Sequence, residues 1–568
     1  MTAAATPAGA APDLVPGWHS IDWKKVWHTV RRLQARIVKA VREGRWNKVQ
    51  SLVYLLTHSF AGRAVAILRV TTNRGSMTPG VDGECWNTPE KKATAFHRLK
   101  ARGYQPRPLR RVYIPKSNGK KRPLGIPTMT DRAMQALYLL GLDPIVETTG
   151  DPNSYGFRSR RGCADALKQC HIVLSQRHSA PWAFEADIAA CFDRISHDWL
   201  LANVPMDKAM LCKWLKAGFL DQGIFFATTE GTPQGGIISP ALANATLDGL
   251  ERRLAERFGE SRASQRKNKV HLVRYADDFI ITGTSEQLLR EEVQPLVVQF
   301  LSERGLALSH EKTSITHLED GFDFLGQNLR RYGNVVLFKP SRKSVRGLLT
   351  KVRQIMRETG GQGTAGELIQ RLNPIIRGWA LYHRHASSSR TFAKVDSAIF
   401  RSLWRWVRRR HPHKSRRWLK NCYFARKGNR DWVFTGRICD AKGEYHPVHL
   451  LQAGQIRIRR HIKVRREANP YDPKWESYFE ERLQAKIADT LIGQGKALYL
   501  WLEQEGKCPV CDQPLVLEER WHMHHLQWRV YGGGDGVDNL VLLHPNCHRQ
   551  VHSQKLVVNK AASCEGRP

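Results

Sequence analysis

Asp277 and Asp278 stand side by side in the stretch "VRYADDFIITG", residues 273 to 283, with an apolar run on each side. Adjacent carboxylates repel each other and lose hydration when buried, so a metal ion is the expected compensation. The stretch reads as two apolar strands joined by a tight turn, in which Ala276 is small and Asp tolerates turn conformations. Such a hairpin presents both carboxylates at its tip. A third candidate is Asp187 in "FEADIAACFDRIS", at the end of another strand-like run. Three converging carboxylates are strongly unfavourable alone, with at least one pKa raised. Two Mg²⁺ ions offset this, because Mg²⁺ takes a few carboxylate oxygens together with substrate phosphates. Such a pair, roughly 4 Å apart, activates a 3′-hydroxyl and stabilises leaving pyrophosphate, as in nucleotide polymerisation. An isolated Asp-Asp pair is ordinarily an exposed turn, so its neighbours along the chain decide the reading.

A second cluster lies near the C-terminal end. "CPVC" at 508–511 pairs with "HPNC" at 544–547, two ligand pairs of x₂ spacing separated by 32 residues. Cys508, Cys511, His544 and Cys547 therefore predict a tetrahedral Cys₃His zinc site of structural type. Between and beyond them run "HMHHLQWRVYGGGDGVDNLVLLH" and "CHRQVH", in which Pro545 suits a helix start and His548 and His552 share one helical face.

The elements that position these groups belong to a chain of 568 residues, long enough for three or four domains. The apolar share of 41% supplies packed cores and argues against wholesale disorder. Ninety Lys and Arg against 52 Asp and Glu leave a formal charge of +38, and nucleic acid is the natural polyanionic partner. A membrane surface is the competing polyanion, but no apolar run approaches the ~20 residues of a spanning helix. The opening "MTAAATPAGAAPDLVPGWHS" reads as a flexible leader rather than a signal peptide. The other cysteines are scattered, which fits reduced thiols in a cytosol.

Residues 20 to 70 show apolar positions at helical spacing and predict two or three amphipathic helices. From about 81 to 335 strand-like runs ("RRVYIPK", "WAFEADI", "HLVRYADDFIITG", "GFDFLGQNL") alternate with helical ones, and residues 340 to 400 return to helical spacing. Residues 401 to 470 are basic and aromatic, as in "LWRWVRRRHPHKSRRWLKNCYFARKGNRDW". Arginine neutralises phosphates and aromatic faces stack on bases, but tryptophans at helical spacing are more often core than base platforms. The tryptophans are accordingly read as mainly structural and the arginines as contacts to nucleic acid.

"FEADIAACFD", then "GTPQGGIISPALAN", then "YADD" resemble the palm motifs of reverse transcriptases, in that order. "YIPKSNGKKRPLGIPTMTDR" and "SYGFRSRRGCADAL" resemble the fingers motifs of the branch encoded by group II introns, and "LNPIIRGWALYH" resembles its maturase, or thumb, segment. The chain is thus identified as similar to group II intron-encoded reverse transcriptase-maturases. The resemblance implies a multidomain α/β and α architecture. It comprises a leader and helical extension (1–80), fingers and palm of a right-hand polymerase (81–335) and a helical thumb (336–420). A basic DNA-binding segment (421–494) and a ββα-metal nuclease around a zinc knuckle (495–568) follow. It makes Asp187, Asp277 and Asp278 the Mg²⁺-binding triad and Phe192 the residue under the incoming sugar. Lys116, Arg122 and Arg158 would hold the triphosphate of a dNTP, and Gln234, beside Gly235 and Gly236, would line the nucleotide and template pocket. Without the resemblance, Lys116 and Arg122 read as a solvated basic loop.

The C-terminal stretch resembles the HNH nuclease motif: His524-His525, Asn539 fourteen residues on, then His548 and His552. The resemblance makes His525 the general base on water, oriented by Asn539 or the loop it fixes, while His524, His548 and His552 hold one divalent ion, Mg²⁺ being the first candidate. His544 goes to zinc through its pairing with Cys547. The implied partners are the parent intron RNA as a lariat ribonucleoprotein, target DNA and dNTPs, in a bacterial cytoplasm at the nucleoid, with no membrane. The implied activity is threefold: splicing assistance, target-strand nicking and reverse transcription from the nick. A splicing-only maturase and a reverse transcriptase of host defence or spacer acquisition are the alternatives. Intact Asp187, Asp277, Asp278 and His525 argue against the first, and the thumb and HNH segments against the second.

Overall fold

The computed structural model describes residues 17–560, apart from 116–118, 120, 260, 361, 440–442, 492–494, 518, 520, 529–530, 532 and 535. Most of the expected leader, and Lys116, lie outside the described residues. The end of that leader is not a flexible tail: Trp18–Ser20 forms a short 3₁₀ turn whose Trp18 is 2% exposed. Three helices follow, Trp23–Arg42, Trp46–His58 and Phe60–Thr72. The first is capped by the Asp22 carboxylate, which accepts from the Lys25 amide, and it buries Val26, Val30, Leu33, Ile37 and Val41 along one stripe. Among the described residues no single helix is long and apolar enough to cross a membrane; the second and third pass that test only as a pair, bent by 66°.

The fingers carry strands β1 (Leu109–Pro115), β2 (Lys121–Ile126), β4 (Phe219–Asp221) and β5 (Ile224–Phe226), ordered β2-β1-β4-β5. The palm sheet is ordered β6-β7-β3-β8, from β3 (Trp182–Asp187), β6 (Leu272–Tyr275), β7 (Asp278–Gly283) and β8 (Ser314–His317), all antiparallel. Its two faces enter different cores. Phe184, Ala186, Phe279 and Ile281 pack with the helical extension, while Ala183, Val273 and Ile280 pack on the other side with Tyr155 and Leu329. Burial on both faces is why "FIIT" reads as a continuous apolar run rather than an alternating one.

A three-stranded sheet, β9 (Phe322–Phe324), β10 (Gln327–Tyr332) and β11 (Val335–Pro340), leads into the thumb helices Arg342–Thr359, Ala365–His383 and Ser389–Arg410. These share a separate core of Val352, Leu372, Ile376, Ile399 and Leu403. The basic segment does not form an isolated unit. Its sheet, β12 (Phe424–Lys427), β13 (Arg430–Cys439) and β14 (Tyr445–His449), adds Phe424 and Phe434 to the thumb core, against which Trp404 and Trp406 pack. Trp418 and Trp432 stay more than a third exposed, with the ammonium groups of Lys414 and Lys420 over their rings. The chain then returns to the palm, where the buried Asp165 carboxylate accepts from the Val464 amide at 2.8 Å and from Arg482 at 3.1 Å, and contacts His461 at 2.9 Å.

Candidate active sites

Cross-strand register brings the palm carboxylates together. Asp278 opens β7 opposite Asp187, the last residue of β3, and Asp277 sits in the two-residue turn before it. Ala276 has φ +59°, so the turn adopts a left-handed backbone at a residue whose side chain is a single methyl. The loop Asn153–Gly156 runs along the free edge of β6, with the Tyr155 amide donating to the Arg274 carbonyl at 2.9 Å. A Cβ on Gly156 would lie 2.2 Å from the Ala276 nitrogen, so only glycine fits against the carboxylate-bearing turn. Beneath it the fully buried Arg274 pairs with Asp248, a counter-charge inside the strand that sequence reading passed over.

Burial, then the charges of Asp187 and Asp277, push the Asp278 carboxyl up to about 7. Asp277 is raised chiefly by burial and by Asp187, while Lys312 and Arg122 pull it back. The donor set therefore fits cations: converging half-buried carboxylates repel one another, and a divalent ion relieves that repulsion. Lys312 donates to Asp187 at 2.6 Å. It was not singled out in the sequence, because it lies 125 residues from its partner. Glu185, two positions before Asp187 on β3, is pushed up to about 7 by burial and was likewise missed.

Phe192 meets Phe157 edge to face with ring centres 6.0 Å apart. Gln234 donates to Asp193 at 3.0 Å, and its carbonyl accepts from Gly125 of β2 at 2.7 Å, which docks the fingers on the palm. A Cβ on Gly235, at φ +116°, would meet the Gly125 carbonyl oxygen at 2.7 Å. Gln234, Asp193, Gly231, Arg111 and Tyr113 line an open cleft of about 520 Å³ between the two subdomains. Arg122 is exposed on β2 and within electrostatic reach of Asp277. Arg158 departs from expectation. Its side chain is 3% exposed and its guanidinium is committed to Glu147 at 2.7 Å and to the carbonyls of Asp151 and Ser154, so it does not reach the cleft. The reason is Glu147, a buried acid with which Arg161 also pairs at 3.0 Å; a buried charge requires its counter-charge.

In the C-terminal unit, β15 (His522–His525) pairs antiparallel with β16 (Leu540–Leu543), and the helix Pro545–Gln554 follows with Pro545 in its first turn. Its donor atoms fall into two groups that could each hold a metal: buried Cys508, Cys511, His544 and Cys547, and, separately, His524, His548 and His552. Within each group the donor atoms lie within 4.8 Å of one another. His544 Nδ1 lies 3.3 Å from Cys511 Sγ and Nε2 lies 3.3 Å from the Pro514 carbonyl, so one nitrogen faces the thiols while the other is held from behind. Burial disfavours the His544 charge, yet the neighbouring thiols raise its pKa to about 11, a proton held where a cation fits. Asn539 ties down the loop after β15: it accepts from the Gln527 amide at 2.7 Å and donates to the carbonyls of Gln527 and Gly534. His525 ends β15, beside His524 and outside both donor groups. His522 was not singled out in the sequence, yet its Nδ1 lies 3.4 Å from His548 Nδ1. Alternation along β15 was the available signal, since His522 and His524 share a face.

A polymerase palm with converging carboxylates, a helical thumb and a ββα unit with paired metal-ligand groups define a template-directed nucleotidyltransferase joined to a nuclease. Family models agree segment by segment: "Reverse transcriptase (RNA-dependent DNA polymerase)" over residues 114–329, "N-terminal domain of reverse transcriptase" over 18–99, "Group II intron, maturase-specific domain" over 345–424 and "HNH endonuclease" over 508–554. Protein YkfC of Escherichia coli K12 is 36% identical over 358 residues, covering 54% of this chain and 93% of that protein. Group II intron-encoded protein LtrA of Lactococcus lactis is 33% identical over 331 residues, covering 47% of this chain and 54% of LtrA. Among solved structures, a telomerase from Candida albicans aligns with TM-score 0.33 and 10% identity over 53% of this chain and 59% of that one. The chain belongs to the group II intron-encoded reverse transcriptase-maturases that carry an HNH domain.

Proposed function

We propose that this protein binds its parent intron RNA, assists its splicing, and then carries the intron into DNA by nicking a target strand and copying RNA from the exposed 3′-hydroxyl. The observation that carries the reading is the union in one chain of a complete palm carboxylate cluster, a maturase segment and a complete HNH histidine set. Asp187, Asp277 and Asp278 would hold Mg²⁺, which supplies activation of the primer hydroxyl and charge neutralisation at the leaving pyrophosphate. Phe192 lies under the incoming sugar, Gln234 lines the nucleotide pocket, and Arg122, with Lys116, meets the triphosphate. In the nuclease, His525 takes the proton from the attacking water, while Asn539 acts on it through the loop it fixes. His524, His548 and His552 would hold one divalent ion; three imidazoles suit transition metals better than Mg²⁺. The basic surplus, exposed arginines of residues 401–470 included, holds RNA and DNA by phosphate contacts. A ribonucleoprotein at the bacterial nucleoid, carrying the excised lariat, is the setting this implies.

The test combines purified full-length protein, its intron RNA, a duplex spanning the joined exons, dNTPs and Mg²⁺. Complementary DNA covalently joined to the nicked strand is the expected product. An intact duplex, with synthesis only from added primers, overturns the reading.

Cys508, Cys511, His544 and Cys547 would hold a structural zinc ion. Cys508→Ser is expected to release the zinc and to unfold residues 508–554, since such an ion supplies much of the folding energy of a small module. Atomic absorption and limited proteolysis check this; retained zinc with a protease-resistant C-terminal unit contradicts it.

A further inference from the structure

The helix Pro545–Gln554 works in two directions. His548 and His552 belong to the imidazole group, whereas Asn546 and Gln550 are buried against the start of the chain, more than 500 residues earlier. Trp18 Nε1 donates to Asn546 Oδ1 at 2.8 Å, and Gln550 Nε2 donates to the carbonyls of His19 at 2.8 Å and Ile21 at 3.0 Å. The Trp18 ring lies edge-on to Trp23 with centres 5.1 Å apart, and the Lys92 ammonium lies 5.2 Å from its centre. At the rim, Arg31 donates to Gln513, beside the thiol cluster, at 2.6 Å. The helix Trp23–Arg42 is in turn fixed to the fingers, where Gln34 Nε2 donates to the buried Leu140 carbonyl at 2.9 Å. Buried contacts thus run without interruption from the polymerase body to the helix that carries the nuclease histidines. Directional bonds between buried polar groups select one docking geometry, where apolar packing alone would tolerate sliding.

We infer that Trp18–Ile21 is a latch that holds the nuclease at one place on the polymerase, so that the nick falls at a set distance from the palm. Trp18, Asn546 and Gln550 are positioning residues: none belongs to either metal-ligand group. The inference rests on the nuclease reading above, and the experiment separates the two. Trp18→Ala and Trp18→Phe full-length proteins, the latter keeping a smaller aromatic ring but losing the indole donor, are compared with the parent. Hydrogen exchange over residues 545–554 is expected to quicken by at least about tenfold in Trp18→Ala and less in Trp18→Phe. Primer extension on an annealed template should be unchanged in both, which shows the palm intact. On an end-labelled duplex of the joined exons, bound with intron RNA, the parent should nick at one position. Trp18→Ala should spread the same total nicking over several nucleotides. Unaltered exchange in Trp18→Ala, or a single unaltered nick position, overturns the latch. If parent and variants all leave the duplex intact, the nuclease reading fails, and the exchange result alone decides whether the latch exists.

Discussion

DNA synthesis on a primed RNA template is expected to fall by on the order of 10³-fold or more in Asp277→Asn, about 4 kcal/mol of lost transition-state stabilisation. The substitution keeps shape and removes one carboxylate from a cluster in which Asp187 raises the pKa of Asp277 and both raise that of Asp278, on top of burial. An ion held by fewer charges binds less tightly and neutralises the leaving group less. Folding should not suffer. Asp277 occupies a half-buried turn, and taking one of several repelling charges from it removes a cost rather than a contact. Splicing of the intron by the same preparation should stay within about twofold, because the RNA contacts proposed above lie in the basic surface and not at this turn. Comparable extension by mutant and parent in Mg²⁺ removes Asp277 from the site. Lost splicing would mean that the palm turn also supports the RNA.

The second large effect belongs to the nuclease. His525→Ala is expected to reduce nicking by roughly 10²- to 10⁴-fold, the usual worth of a positioned general base, with polymerase activity on an annealed primer unchanged. His525 ends β15 one residue beyond His524 and lies outside both donor groups. Truncating it therefore leaves three imidazoles for the divalent ion and the four zinc donors intact. Zinc content should equal that of the parent. Normal nicking by the variant refutes the HNH assignment, and loss of zinc together with nicking shows that the histidines are divided wrongly between the two metals. The docked nuclease makes this control necessary: residues 540–543 and the palm share one continuous apolar core, so independence of the two sites has to be measured and not assumed from chain distance.

What the sequence determined by itself is what short-range stereochemistry controls. The "YADD" turn between two strands, the x₂ pairs of the Cys₃His group and the 548/552 pair on a helix opened by Pro545 each depend on a few consecutive residues. Their spacing is set by the two-residue period of a strand or the 3.6-residue period of a helix, so it can be read without knowing the rest of the chain. Resemblance extended this to Asp187, whose pairing with Asp278 spans 91 positions and has no local signature.

Only the tertiary structure decided which charges meet. Arg158 and Arg122 look alike in the sequence as basic residues near the fingers. One is drawn into the interior by Glu147 and the other stays exposed on β2, within electrostatic reach of Asp277. Lys312, in the turn before β8, reaches Asp187 at the end of β3, and Arg274 of β6 reaches Asp248 just past the helix Ser239–Leu247. Trp18 looked like the end of a leader until Asn546 and Trp23 enclosed it. For Arg158, Arg274 and Trp18 a buried charge or donor takes whatever partner the finished packing brings within about 3 Å, since leaving it unpaired in a low-dielectric interior costs more than any local preference supplies. That partner is chosen by the summed burial of the whole chain, and no window of neighbouring residues contains it.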